Sequence, residues 1–383
     1  MKHSGGIQHF VRNNKFPLLV AGAWLVLVWG LVFAVQAFFK EPFSLAAWAG
    51  DWDGGWYKSI ADAGYYSGVI DHQVNVAFFP LLPVVTWLVS KAALLPTVWA
   101  GMAVATMSFA AALVVLWHFV NKLFTRPVAK LTLLLLAFNP FSLYFGMFYT
   151  ESLFLLLAVS AFWFVYTKQW CAAAFFAGLA TGTRSVGVAV ALAVMAGWLV
   201  ERSKRQDNKA RSPWILWLPQ TVILGLIAFS GILAFSAFLW WHTGDPFAYR
   251  TVQQFWPGRG GLTNVGNELA YLWEHRVVTM EYALTAMWYG TGVIAFGGLA
   301  LVVRMRQWLL ALYSGIAVSL PILFGTLTGM NRYALAVFPI FIAYSVLLLK
   351  LPTWFRVALL TLSVVALGGV VWFMLDPRTI FIG

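Results

Sequence analysis

Three features of the sequence predict an all-α polytopic membrane protein. Of its 383 residues, 61% are hydrophobic and only 10% charged, against about 25% charged in a soluble domain. Apolar runs of roughly 20 residues, long enough to cross the hydrocarbon core, recur from end to end. The runs do not alternate apolar with polar residues, as the strands of roughly 10 residues in a membrane barrel would. No repeat, heptad seam, linker or low-complexity segment divides the chain, so residues 1–383 read as one membrane domain.

The formal net charge of +12 would suit nucleic acid. Basic loops on the cytoplasmic side of a membrane account for it equally well, because anionic lipid favours them. Membrane lipid is therefore an expected partner and nucleic acid is not. The one cysteine, Cys171, excludes an internal disulfide and a cysteine metal cluster.

The elements follow from charge and apolar length. Met1–Lys15 is polar and basic, and it leads into the apolar run Phe16–Phe39. That run is too long for a signal-peptide core and lacks a small-x-small cleavage site. It reads as an uncleaved first helix with its N-terminus in the cytoplasm. A first outer loop, about 40–96, follows. Its stretch Asp51–Pro83 holds Asp51, Asp53, Asp62 and Asp71, four of the thirteen acidic residues, with His72, Gln73 and Asn75. Within it Trp52, Trp56, Ile60 and Gly64 recur at helical spacing, which suits a helix lying in the headgroup zone. Phe78–Leu94 is apolar but broken by Pro80, Pro83 and Pro96, and reads as re-entrant or interfacial.

Trp99–Val120 returns to a basic loop with Lys122, Arg126 and Lys130. Leu131–Phe148 goes out and Ser152–Tyr166 comes back, through a tight outer turn carrying Tyr149, Thr150 and Glu151. Cys171–Val200 has the length of one long helix, which would place the most basic segment, Glu201–Arg211, outside. Two short helices that dip in and return keep that segment inside, with a turn near Gly182-Thr183-Arg184-Ser185. They also explain an arginine at membrane depth. Trp214–Trp241 leads to a second outer loop, about 242–280, containing GDPFAYRTVQQFWPGRGG. Ala283–Val303, Trp308–Thr328, Tyr333–Leu349 and Ala358–Leu375 complete the pattern. Arg304, Arg306, Lys350 and Arg356 fall inside, and Gly329-Met330-Asn331-Arg332 forms an outer turn. The total is roughly eleven transmembrane or half-membrane helices.

Under this topology the polar clusters converge on one face. Asp53 reads as a general base that takes a proton from an attacking hydroxyl, or as a helix N-cap, the commoner use of Asp before Gly54-Gly55. Asp51 has the same two readings. Asp51-x-Asp53 also resembles a metal-binding pair, but a hard cation needs several oxygen ligands; no metal and no cofactor is expected. Arg184, costly among apolar residues at about 3 kcal/mol on insertion scales, reads either as a forked anchor for phosphate or as the partner of Glu151 in an ion pair. Arg332 is an anchor for phosphate or a snorkelling helix-end cation. Arg250 and Arg259 suit a sugar or headgroup, or a solvated loop. His72, Gln73 and Asn75 suit sugar hydroxyls, although a lone loop histidine is the plainer reading of His72. The absence of G-x-x-x-x-G-K-[ST] and G-x-G-x-x-G excludes a nucleotide-driven pump and a soluble nucleotide-sugar domain.

WDGGWYKSIADAGY followed by NVAFFPLLP resembles the first-loop motif of PIG-V-like mannosyltransferases, the family of GPI mannosyltransferase II. Further matches follow in order: NPFSLYFGMFYTESLF (139–154), GLATGTRSVG (178–187), GDPFAY (244–249) and NRYALAVFPIF (331–341). The resemblance implies a GT-C glycosyltransferase fold with its site on the outer face, and inverting transfer of a hexose, mannose being the expected sugar. The donor it implies is a polyprenyl-phosphate sugar, and the acceptor a lipid or glycan. It implies Asp53 as the base with Asp51 as its alternative, and places Glu151 and Arg184 near the site; a departing lipid phosphate needs cationic donors where charge builds up, which Arg184 and Arg332 suit. Trp52, Trp56, Tyr57, His72, Gln73, Asn75, Glu151, Asp245 and Arg250 are then candidates for substrate contact. The short, basic chain suits a bacterial or archaeal plasma membrane. A lipid-linked sugar flippase and a non-catalytic subunit of a glycosylation complex are the alternatives. The first would need charged residues through both leaflets and inverted repeats; the second would suit loss of the first-loop aspartates, and both are present.

Overall fold

The computed structural model describes residues 13–39, 44–206, 217–256, 262–274, 280–323 and 327–376. Among them the regular structure is α-helix with short 3-10 turns. Helix α1 (Lys15–Phe39) buries one stripe, Val20, Trp24, Val28, Val32 and Val35, at helical spacing. The first loop forms α2 (Leu45–Ala49), α3 (Asp53–Ala63) and a 3-10 turn at Asn75–Ala77. Helices α4 (Leu81–Ala93) and α5 (Thr97–Leu123) follow, divided where Pro96 forbids continuation. Helix α6 (Arg126–Ala137) stops before Pro140, and α7 runs over Glu151–Tyr166.

Among the described residues, four helices are long and apolar enough to cross a membrane: α1, α5, α14 (Met280–Arg304) and α18 (Thr353–Leu375). The pair α10 (Leu218–Ala228) and α11 (Ser230–Thr243), bent by 64°, makes a fifth if taken as one span. Five shorter apolar helices among the described residues, α4, α7, α8 (Trp170–Thr181), α15 (Trp308–Leu323) and α17 (Phe338–Leu348), complete the set. Helices α8 (Trp170–Thr181) and α9 (Gly187–Gln206) divide the 171–200 run as its arginine requires. They form an antiparallel hairpin. Trp170 meets Trp198 edge-on at 5.6 Å, and Lys168 pairs with Glu201 at 2.7 Å at the open end. The tip, residues 182–186, docks where Leu81 N–H donates to Gly182 O at 3.0 Å. Helix α11 crosses α8 with no room for a side chain: a Cβ on Gly231 would lie 2.3 Å from Gly178 O.

Two expectations are corrected. Leu131–Phe148 is not one outgoing helix. After α6 the chain unwinds through residues 138–150, with one 3-10 turn at Ser142–Phe145. This irregular backbone is tolerated because protein groups satisfy it: Trp24 Nε1 donates to Ser142 O at 3.2 Å and Ser152 Oγ to Phe145 O at 2.7 Å. The turn carrying Tyr149, Thr150 and Glu151 is not an outer surface either, since all three are buried.

The second loop is largely helical where described: α12 (Ala248–Thr251), a 3-10 turn (Val252–Phe255) and α13 (Leu262–Glu274). Arg259 lies outside the described residues. Helix α14 (Met280–Arg304), α15 (Trp308–Leu323), short α16 (Met330–Leu335), α17 (Phe338–Leu348) and α18 (Thr353–Leu375) finish the chain. One large apolar cluster runs from α1 to α18. A smaller one ties the first loop (Val74, Val76, Phe79) to α11 (Phe235, Leu239) and the second loop (Ala248, Val252). Basic side chains collect at one end of the bundle. There Arg126 sits over Trp117, Lys130 over Phe16 and Arg202 over Trp198, and Tyr166 reaches Gln307 at 3.3 Å. The hairpin tip, the start of α7, α3 and α16 lie at the other.

Candidate active site

Four elements meet at that opposite end, each with one charged side chain. Helix α3 begins immediately after α2, a turn only glycine permits: a Cβ on Gly54 would lie 2.8 Å from Ala49 O. Trp52, just before it, has φ +51°, a conformation that costs about 1–3 kcal/mol in a non-glycine residue. The turn aims Asp53, the first residue of α3, inward. Trp52 is the capping residue and no side chain caps the helix, so the Asp53 carboxylate is not spent as a cap. Instead its Oδ2 accepts from Arg332 Nη2 at 2.5 Å, across 279 positions of sequence. Arg332 Nε lies 3.7 Å from Glu151 Oε1, and the same oxygen accepts from Arg184 Nη1 at 2.8 Å.

The result is a chain of alternating charge: Asp53, Arg332, Glu151, Arg184. Aromatic rings hold the guanidiniums in place. Arg332 lies over Tyr149 at 5.0 Å and Tyr144 at 5.7 Å, and Arg184 over Tyr333 at 5.0 Å. Tyr144 and Tyr149 are stacked on each other. Glu151 Oε2 is buried and makes no hydrogen bond.

A cavity of about 520 Å³ opens on this chain, within the range of small-molecule sites. Trp52, Asp53, Tyr57, Tyr144, Tyr149, Arg184 and Arg332 form its polar wall, and apolar residues of α14 (Leu284, Met287, Trp288) and α18 (Val370, Phe373, Met374) face them. A smaller cavity of about 120 Å³ shares Arg184 and Tyr333 with it and is lined by Arg250 on its far side.

The other sequence candidates fall elsewhere. Trp56 is off the wall but stacks on Phe78 and approaches Trp256, both of which line the cavity. Glu151 is also off the wall and meets the cavity through the two arginines. Asp51 is exposed and off the wall, so Asp51 and Asp53 do not face one cavity; partial desolvation raises its carboxyl pKa above the ordinary aspartate value. His72 is exposed and hydrogen-bonds Asp71 at 2.5 Å, which holds that carboxyl below the ordinary value. Gln73 Nε2 donates to Phe255 O at 3.0 Å and so joins the two loops. Asn75 is saturated by the first loop: its Oδ1 accepts from Tyr66 N, and its Nδ2 reaches Gly64 O and Ser59 Oγ. Asp245 accepts from Phe247 N and Thr251 Oγ1 and organises the start of α12. Tyr144, Tyr149, Tyr333 and Asn331 were not singled out from sequence. Each lies inside a quoted motif, 139–154 or 331–341, whose density of polar-edged aromatics was the available signal.

The apolar spans make this an integral membrane protein, with a buried charged site where four helix ends converge. The family described as mannosyltransferase (PIG-V) matches residues 43–243, just over half of the chain. The chain belongs to that family. None of the curated proteins matches the sequence. Among solved structures, ArnT from Cupriavidus metallidurans bound to undecaprenyl phosphate is similar at 12% identity and a TM-score of 0.49, over 89% of this chain and 62% of that one. The oligosaccharyltransferase of Archaeoglobus fulgidus, in complex with Zn and sulfate, is similar at 14% identity and a TM-score of 0.41, over 90% and 53%. The chain thus spans about three fifths or less of the length of these neighbours.

Proposed function

We propose that the protein is a GT-C-type membrane glycosyltransferase. It transfers a hexose, mannose by family, from a polyprenyl-phosphate sugar to a lipid or glycan acceptor, with inversion at the anomeric carbon. The observation that carries the proposal is the wall of the large cavity: one carboxylate, Asp53, beside two guanidiniums, opposite apolar helix faces. Asp53 takes the proton of the acceptor hydroxyl as that oxygen attacks the anomeric carbon. The bond from sugar to phosphate breaks, and the negative charge that builds on the departing lipid phosphate is met by Arg332 and Arg184. Trp52, Tyr57 and the ring pair of Trp56 and Phe78 offer apolar faces and hydroxyls to the sugar. The prenyl chain lies along α14 and α18. Asp51, off the wall, is the less suitable base. No cofactor is assigned.

The basic end of the bundle faces the cytoplasm by the positive-inside rule. The N-terminus is then cytoplasmic and the cavity extracytoplasmic, in a plasma membrane of prokaryotic type. The test is transfer of label from radiolabelled polyprenyl-phosphate mannose to membrane extract by purified wild type and Asp53→Asn in parallel. Label entering a lipid or glycan product with wild type alone supports the reaction and the base together. Equal transfer by Asp53→Asn refutes the base.

A further inference from the structure

The assignment of Asp53 as base and of the arginines to donor phosphate leads to a second conclusion, which rests on that reading. The formal charges of Asp53, Arg332, Glu151 and Arg184 cancel. A donor phosphate brings further negative charge, and a guanidinium that binds it must release or share a carboxylate it already holds. Two carboxylates are candidates, and they are not equivalent. Glu151 is 2% exposed, sits behind the wall and has Oε2 without a partner. Asp53 is 30% exposed and on the wall. Removing one partner from a buried ion pair strands a charge in a poorly polarisable medium, and this is strongly unfavourable. Releasing Asp53 leaves a carboxylate facing the cavity, where an acceptor hydroxyl replaces the lost bond.

We infer that Glu151 is a positioning residue: it pins both guanidiniums at the wall and makes Asp53 the carboxylate that donor phosphate displaces from Arg332. The base is released only when the donor is in place. While Arg332 donates to Asp53 Oδ2, that oxygen is engaged by the guanidinium. Once Arg332 turns to phosphate, Asp53 is free to accept the acceptor's proton. Donor therefore binds before acceptor. The titratable and charged groups facing Asp53 are Arg332 on α16, Tyr144 and Tyr149 from the unwound segment and Tyr57 on its own helix, with Glu151 and Arg184 behind.

Dicyclohexylcarbodiimide, which attacks protonated carboxyl groups in apolar surroundings, reads this exchange. The full chain in lipid nanodiscs is treated with and without undecaprenyl phosphate, whose binding is followed separately by native mass spectrometry. Labelled peptides are then mapped. The expected result is that bound lipid phosphate raises labelling at Asp53 about tenfold, a pKa rise of about one unit, with Glu151 unlabelled throughout. Glu151→Gln abolishes the rise, because one fewer negative charge lets Arg332 serve phosphate and Asp53 together; Glu151→Asp restores it. Unchanged or slower Asp53 labelling with lipid bound to wild type overturns the inference. So does label appearing at Glu151, or a full rise in a lipid-binding Glu151→Gln variant, which marks Glu151 as merely structural. Failure of wild type to bind the lipid phosphate at all overturns the donor assignment itself and this inference with it, an outcome distinct from bound lipid with unchanged labelling.

Discussion

Two regions of this molecule concentrate hydrogen-bonding side chains, and they use them in opposite ways. In the loop region, His72, Gln73, Asn75 and Asp245 bond to backbone or to near neighbours: Asn75 closes the turn that follows α3, and Asp245 starts α12. In the cavity region, Asp53, Glu151, Arg184 and Arg332 bond to one another across up to 279 positions and face a space that a small molecule fits. The loop polar groups solve a folding problem, because buried backbone must be satisfied. The cavity charges solve none: well-packed apolar residues would be as stable or more so. Charges that folding does not require are the ones to assign to chemistry.

Substitutions can break this comparison or sharpen it. The largest effect is expected at Asp53→Asn, which keeps shape and removes the base. Transfer should fall by about 10²–10⁴-fold with thermal unfolding little changed, as an isotope-transfer assay and a melting curve would show together. Glu151→Ala should be nearly as severe by another route. It leaves Arg184 with an unpaired buried charge, a loss of about 3–5 kcal/mol, so the melting temperature falls along with activity; retention of wild-type stability would mean that the pair is not buried in the working protein. Asn75→Ala removes three hydrogen bonds of the loop and should loosen residues 64–79 by about 1–3 kcal/mol, seen as faster amide exchange there. Transfer should drop by no more than about tenfold, equivalent to 1.4 kcal/mol. A drop as deep as that of Asp53→Asn would move Asn75 from the loop class to the site class. The smallest effect is expected at His72→Ala, an exposed position, where stability should stay within about 0.5 kcal/mol and transfer within about twofold.

The comparison also explains what sequence could read. It pointed to Arg184 because charge in an apolar run is costly wherever the chain goes, and to Asp53 as a base or a cap at the head of a helix. The same cost divided 171–200 into two helices, since no single span accommodates Arg184 at its middle. Sequence left Asp53 with two uses, base or helix cap, and grouped His72, Gln73 and Asn75 as contacts for sugar hydroxyls, because polar residues of one loop look alike until their partners are known. Glu151 was read as a residue of the outer turn between two apolar runs and as a partner for Arg184. The unwound segment before Glu151 packs closely on α5, where Gly101 leaves room for the Phe148 ring, a Cβ there lying 2.2 Å from it.

The sequence by itself therefore determined the membrane class, the apolar helices, the break at Pro96 and the short roster of charges worth explaining. These follow from local rules of hydropathy, proline geometry and desolvation that act on each segment alone. Tertiary structure decided the pairing of Asp53 with Arg332 and of Glu151 with Arg184, the close crossing at Gly231 and the walls of the cavity. Those depend on which helix ends meet, and a distance between residues 279 positions apart is set by the packing of every helix between them.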